Sequence, residues 1–331
     1  DDRKVTFEGV TKINSDAYFY LPTGDTYTRD SRYGRGLFMG GYTSPTNVAV
    51  GDIHYINIPS MGNSYDFGDL VNAARWAGGS CGSSTRGLYG GGATPTSTDH
   101  IDFVTIATTS DALDFGNLAT AQGYVKACSN QTRGIWGGGR SSTSPTVSSD
   151  VIQYITIAST GAAIDFGNLT SARTALSETA SPTRAVFSGG YTSPSTTAVA
   201  DIDYVTIAST GDAVDFGDLL VDVRYSDVAS NGIRGVIGGG SAPVTNTIQY
   251  ITIPSKGDAS DFGNLTDSIE HISCTDNSIR GVFGGGVTPT YLNVMQYITI
   301  ATTGDAQDFG DLSRLNLGYA GGTSDSHGGL G

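Results

Sequence analysis

The sequence predicts an all-β chain built from one repeated four-stranded unit, and three observations predict it. The tripeptide "DFG", followed by Asp or Asn and then Leu, begins at Asp66, Asp114, Asp165, Asp215, Asp261 and Asp308, at intervals of 48, 51, 50, 46 and 47 residues. A run of alternating β-branched and aromatic residues precedes every copy: "HYINIPS", "DFVTIAT", "QYITIAS", "DYVTIAS", "QYITIPS", "QYITIAT". Glycine supplies 47 of 331 residues while charged residues supply only 15%, the balance of a turn-rich β protein. No segment carries helical periodicity with caps.

The elements of one unit follow in order. Between "DFGxL" and the next arginine lies a small-residue segment such as "RWAGGSCGSST" or "YVKACSNQT", a first short strand. A second run ends in glycines: "RGLFMGG", "RGLYGGG", "RGIWGGG", "RAVFSGG", "RGVIGGG", "RGVFGGG". The alternating run is the third strand, closed by Thr-Gly or Ser-Asp turns, and "DFGxL" marks the fourth. The tripeptide is also spelled in the magnesium site of kinases, but a catalytic Asp is needed once. Six evenly spaced copies are scaffold. Each Phe (Phe67, Phe115, Phe166, Phe216, Phe262, Phe309) is expected to pack between sheets, worth about 1.5–3 kcal/mol of transfer free energy. Each Gly is expected to turn the chain, and each Asp to cap that turn through its carboxylate.

Four short strands per unit of this length is the signature of a β-propeller blade. The order of landmarks resembles the kelch family, in which a strand ends in Gly-Gly, a Tyr follows on the third strand and a Trp on the fourth. Here Gly40-Gly41, Gly91-Gly92, Gly138-Gly139, Gly189-Gly190, Gly239-Gly240 and Gly285-Gly286 match the glycines. Tyr55, Phe103, Tyr154, Tyr204, Tyr250 and Tyr297 match the Tyr column, and the six Phe of "DFG" stand where the family has Trp. That departure marks a divergent branch and weakens transfer of kelch partner-binding roles.

One domain is expected over residues 1–331, with six repeats in 35–312. At its ends, "DAYFYLPTGDT" (16–26) resembles "MQYITIATTGDA" (295–306), and "RLNLGYAGGTSDSHGGLG" (314–331) resembles a first strand and the start of a second. The expectation is a seventh, composite blade, with residues 1–34 supplying outer strands and 313–331 inner ones. Pairing of N- and C-terminal strands would then close the ring and remove free edges. Six blades, with the N-terminal segment outside the ring, is the alternative. The weak point of seven is "HGGLG", which matches "RGVFG" poorly.

A net charge of −14 argues against gripping a phosphate backbone, so no nucleic acid is expected. Apolar runs fall far short of the ~20 residues of a spanning helix, so no membrane insertion by a helix is expected. Cys81, Cys128 and Cys274 occupy similar places in different units, too far apart for a disulfide, and read as small packing residues. The four histidines have no metal-ligand spacing, and His54 and His100 are expected at the surface. The Gly triplets open no helix and lack the Lys-Ser/Thr of a phosphate loop. No calcium loop, nucleophile elbow or catalytic insertion breaks the beat. No metal, cofactor or enzymatic activity is expected.

What varies between units is the Ser/Thr/Pro-rich loop after the glycines, from "YTSPTNVAVGD" to "VTPTYLN". Variable loops on a rigid scaffold are where recognition concentrates. Tyr42, Trp136, Arg140, Tyr191 and Tyr291 are the candidate contact residues there, suited to stacking on a sugar or protein partner. The units "IDYVTIASTGDAVDFGDLL" and "YITIATTGDAQDFGDLSR" resemble kelch-like repeats in virion and tail-fibre proteins of marine cyanophages and related tailed phages. That resemblance implies a non-enzymatic virion component acting in assembly or host attachment. It would sit on the virion or outside the cell, with other virion proteins or a host-surface glycan or protein as partners, and it is compatible with a homo-oligomer. A secreted carbohydrate-binding, or less readily carbohydrate-active, propeller is the alternative.

Overall fold

The computed structural model describes residues 34–43, 48–71, 74–141, 146–313 and 317–330. They form six antiparallel sheets arranged as a propeller, each with the innermost strand first and the "DFG" strand at the outer edge. The second blade is typical: Gly79–Gly82 pairs with Arg86–Gly90, then His100–Thr105, then Leu113–Asn117. The next four innermost strands are Lys126–Ser129, Ser177–Ala180, Asp227–Ser230 and Ser273–Asp276.

The ring has six blades, not seven. The first blade takes its innermost strand from the C-terminal end: Gly321–Ser324 pairs with Gly36–Met39 of Arg35–Thr43, followed by Val48–Asn57 and Tyr65–Asp69. The C-terminal segment therefore completes the first repeat instead of founding another blade. The outer strands expected from the N-terminal segment fall on residues 1–33, outside the described residues. The poor match of "HGGLG" has a physical reason. His327 is followed by a 3₁₀ turn, Gly328–Leu330, that seats against the hairpins at one end of the central channel. A side chain on Gly329 would collide with the Ser129 carbonyl, and one on Gly328 with Ser230 and the Gly232 amide.

Apolar residues collect between blades, in one cluster per interface. The cluster joining blades three and four holds Ile135, Ile152, Phe166, Leu176 and Phe187. The cluster joining blade six to blade one holds Val282, Met295 and Phe309 with Phe38, Ile56 and Ile58, which leaves no gap for a seventh sheet. All six "DFG" phenylalanines are 2% exposed. Each meets its own blade's Tyr or Phe edge-on at 5.7–6.1 Å, a favourable ring geometry.

The "DFG" glycines work differently from the expected turn. The tripeptide is a β-bulge: Ile152 faces Gly167 and Gln153 faces Asp165, leaving Phe166 as the extra residue. Gly167 has φ +149°, and a Cβ there would lie 2.4 Å from the Gly211 carbonyl oxygen of the next blade. That close approach lets the Gly211 N–H donate to the Phe166 carbonyl at 2.7 Å. The same bond runs from Gly62 to Phe309 at 2.9 Å, across the closing interface.

The "DFG" aspartates are exposed, and capping falls to other residues. After four of the six tripeptides the next amide donates to a carboxylate in the third-to-fourth strand turn of the following blade, beginning with Asp69 onto Asp111 at 3.1 Å. Asn168 reaches Asp212 at 2.9 Å, Asp218 reaches Asp258 at 3.1 Å and Asn264 reaches Asp305 at 2.8 Å. Asn63 takes that place for Asp311 at 3.0 Å.

Two further columns bind neighbouring blades. Arg35, Arg86, Arg133, Arg184, Arg234 and Arg280 each lie 4.6–4.9 Å over the Tyr or Phe of their own third strand. Each donates from Nη1 to a carbonyl of the next blade, from Arg35 onto Ile106 (2.9 Å) round to Arg280 onto Pro59 (2.9 Å). The second column is His54, Asp102, Gln153, Asp203, Gln249 and Gln296, all buried. Its members accept from the chain linking blade to blade, as Gln153 does from the Ala119 amide at 2.7 Å and Gln249 from Leu220 at 2.7 Å. His54 is thus interior, not superficial: its Nδ1 meets Ser313 Oγ at 3.0 Å. His100 is exposed. Where the column is Asp, an arginine accompanies it, pairing Arg75 with Asp102 and Arg173 with Asp203. Where it is Gln, the arginine position holds Gln122, Val223 or Ile269.

Candidate recognition face at the channel mouth

The end of the channel opposite the C-terminal turn is built from six equivalent residues, one before each innermost strand: Ala77, Tyr124, Ala175, Tyr225, His271 and Tyr319. All six adopt left-handed backbone with φ between 53° and 61°, a conformation that costs non-glycine residues on the order of 1–2 kcal/mol. A chain of five backbone hydrogen bonds links them around the mouth. Ala77 N–H donates to Tyr319 C=O (3.0 Å), Tyr319 to His271 (3.1 Å), His271 to Tyr225 (2.9 Å), Tyr225 to Ala175 (2.9 Å) and Ala175 to Tyr124 (3.2 Å). Strained backbone of this kind persists where its surroundings over-determine it, and it concentrates at functional sites.

The kink carries aromatic rings over the mouth. His271 stacks on Tyr319 at 3.7 Å and lies 3.9 Å from Tyr225. Trp76 stands edge-on to both Tyr124 (5.1 Å) and Tyr319 (5.2 Å). Tyr42 extends the patch, 5.5 Å from Trp76 and 6.1 Å from Tyr291. Trp76, Tyr42, Tyr124, Tyr225, Tyr291 and Tyr319 are all half-buried, so each offers part of its ring to solvent. Beneath them Tyr124, Tyr225, His271 and Tyr319 line a small cavity of about 30 Å³.

Arginines occupy one half of this face. The Arg140 guanidinium lies 4.0 Å over the Tyr124 ring, and its Nη1 donates to Tyr191 Oη at 3.4 Å. Arg224 lies 5.1 Å over Tyr191 and 5.3 Å over Tyr225, held by Nη1 donating to the Thr196 carbonyl at 2.8 Å. Burial pushes the Tyr124 phenol up to about 12 and raises Tyr225 and Tyr319. It holds His271 down at about 3, helped by Lys126 and Arg224. His271 is therefore neutral at pH 7, and its 3.6 Å approach to Glu270 is a contact with a neutral ring.

Four of the sequence candidates, Tyr42, Arg140, Tyr191 and Tyr291, meet on this face. Trp136 does not join them. It is fully buried between blades two and three, with Nε1 donating to the Gly79 carbonyl at 3.2 Å. Strand alternation places it in the column of Phe38, Tyr89, Phe187 and Phe283, all inward. Sequence reasoning missed Trp76, Tyr124, Arg224, Tyr225, His271 and Tyr319. Their signal is a fixed offset before each small-residue segment, in "WAGG", "YVKA", "RYSD", "EHIS" and "GYAG".

Deeper in the channel the polar groups are engaged by the scaffold. Lys126 Nζ pairs with Asp227 Oδ2 at 3.0 Å, and that oxygen also accepts from the Cys274 amide at 3.0 Å. Glu178 accepts from the Gly137 amide at 2.9 Å, and burial raises its carboxyl well above the usual range. Asp276 accepts from the Ser230 amide, and burial pushes it up to about 8. The three cysteines are free and buried, and desolvation raises each thiol, which disfavours the reactive thiolate. Among the described residues no three His, Cys, Asp or Glu side chains are grouped to hold a metal.

Compared with known proteins, the chain matches no family model and no curated protein.

Proposed function

We propose that this propeller is a non-enzymatic recognition protein whose binding surface is the aromatic and arginine-bearing face at the channel mouth. One observation carries the reading. At six left-handed positions around the mouth glycine would be free of strain, and the chain is rich in glycine. It places Tyr124, Tyr225, His271 and Tyr319 at four of them, with the tyrosine rings half open to solvent. The columns that hold blades together repeat from unit to unit, whereas the mouth positions alternate among Ala, Tyr and His with Trp76, Arg224 or Glu270 beside some of them, the division expected of a scaffold and its recognition site.

The setting rests on sequence likeness. The repeats are kelch-like in their glycines and Tyr column, and two units resemble those of tailed-phage virion proteins. A tail-fibre or decoration protein that attaches to a host surface or to another virion protein fits both likenesses. Proteomics of purified virions from a phage encoding the chain tests the setting, and absence of its peptides removes it. Binding of the labelled protein to host cells tests the surface. Trp76→Ala and Tyr319→Ala are expected to weaken it at least about tenfold, in line with single aromatic hot spots. Unchanged binding by both would overturn the assignment of the face.

A further inference from the structure

Among the arginines of the described residues, six serve the inter-blade column and Arg75 and Arg173 are paired with buried aspartates. The two that remain, Arg140 and Arg224, both stand at the mouth. The ion pairs among the described residues join Arg75, Lys126 and Arg173 to acids, and neither mouth arginine is in that set. In a chain of net charge −14, two cations with no carboxylate partner among the described residues are thus concentrated on one aromatic face.

The face is bipartite. Arg140 and Arg224 flank Tyr191, and the rings of Tyr124 and Tyr191 lie under the two guanidiniums. Each guanidinium has five N–H donors. Arg140 uses one on Tyr191, and Arg224 uses two, on Thr196 and Ser241. The others are left in the fork geometry that matches a carboxylate or sulfate. Across the mouth, Tyr42, Trp76 and Tyr291 form a half-buried aromatic platform with no guanidinium over it. The arginine half disfavours a cationic group, because guanidiniums already cover Tyr124, Tyr191 and Tyr225. The Glu270 carboxylate near Tyr291 and Tyr319 steers an anionic group away from the platform towards Arg140 and Arg224.

Resting on the recognition reading above, we propose that the mouth binds an acidic saccharide. Its sugar rings stack on Tyr42, Trp76 and Tyr291, and its carboxylate or sulfate is held by Arg140 and Arg224. Because the chain as a whole repels polyanions, attraction is confined to the site and salt dependence is shallow.

The test measures binding of the purified chain to uronic-acid and sulfated polysaccharides, beside the same polymers after carboxyl reduction or desulfation. The acidic forms are expected to bind and their neutralised forms to lose most of the affinity. Arg140→Gln and Arg224→Gln should each lose about ten- to a hundredfold, the scale of one charge-assisted contact. Arg140→Lys should recover only part, because it keeps charge without the fork. Unchanged melting temperatures show that the variants are folded. Equal binding of neutralised polymers, with both arginine variants unaffected, overturns the acidic class but leaves the recognition face standing. No binding to any saccharide overturns this inference alone if Trp76→Ala still weakens attachment to host cells, and the underlying reading too if it does not.

Discussion

The buried pair Arg75–Asp102 offers a test written by the protein's own repeats. Arg75 Nη2 contacts Asp102 Oδ2 with neither side chain exposed, and Arg75 Nη1 donates to the His100 carbonyl at 2.8 Å. Burial raises the Asp102 carboxyl despite the guanidinium beside it. Removing either partner strands a charge in the interior, which costs about 3–5 kcal/mol. In the third blade the equivalent positions are Gln122 and Gln153, whose amides satisfy the same linker. Arg75→Gln and Asp102→Gln should therefore each destabilise by about 3–5 kcal/mol. The double variant copies a neighbour and should fall within about 1 kcal/mol of the parent, since neutral replacements of buried pairs are frequently tolerated. Urea denaturation of all four proteins gives the coupling energy, expected to exceed about 3 kcal/mol. A double variant as unstable as the sum of the singles would refute the argument that the columns are interchangeable between blades.

Other outcomes follow from the same geometry. Gly167→Ala drives a Cβ into the Gly211 carbonyl and should cost about 2–4 kcal/mol from backbone strain and a lost hydrogen bond. Gly161→Ala, with open space around its Cβ, should lose only the backbone part, and equal losses in the two would sink the close-approach account. Asp276, raised from 3.8 to about 8, favours its protonated form in the fold. Its contribution is complete below the unfolded pKa near 4 and is lost as pH rises towards 8. Asp276→Asn should thus gain on the parent between pH 5 and pH 9, and parallel stability curves would contradict this. His327 behaves oppositely, because burial lowers it to about 4 while Nε2 meets the Gly82 carbonyl at 2.9 Å and Nδ1 accepts from Gly329 at 3.2 Å. Its contribution is complete above pH 6.5 and lost as pH falls towards 4. His327→Gln should flatten that acid limb in denaturation curves, and an unaltered limb would assign it to other groups.

The blade was legible in the sequence because every copy of "DFG" repeats one packing problem, and Phe166 or Phe216 solves it alike each time. The blade count was not. The "LNLGYAGGTS" stretch reads as a first strand whether it founds a new blade or completes an existing one, and only the pairing of Gly321–Ser324 with Gly36–Met39 separates these. Asp66 and its equivalents drew the capping role through proximity, whereas the real acceptors, such as Asp212, sit more than forty residues away in sequence. His54 looked superficial as a lone histidine. Its column of Asp102, Gln153 and Gln249 identifies it as an interior acceptor or donor. At the mouth, Tyr42, Arg140, Tyr191 and Tyr291 were legible from loop variation, but Trp76, Tyr124, Arg224 and Tyr319 lie in a segment that otherwise reads as spacer.

The most direct test of the recognition account is hydroxyl-radical footprinting of the intact chain, free and bound to host-surface polysaccharide. Protection is predicted at Trp76, Tyr124 and Tyr319 around the mouth, with the exposed outer-rim residues Tyr65, Leu113 and Ile164 oxidised equally in both states. Protection of the rim with an unprotected mouth would contradict it.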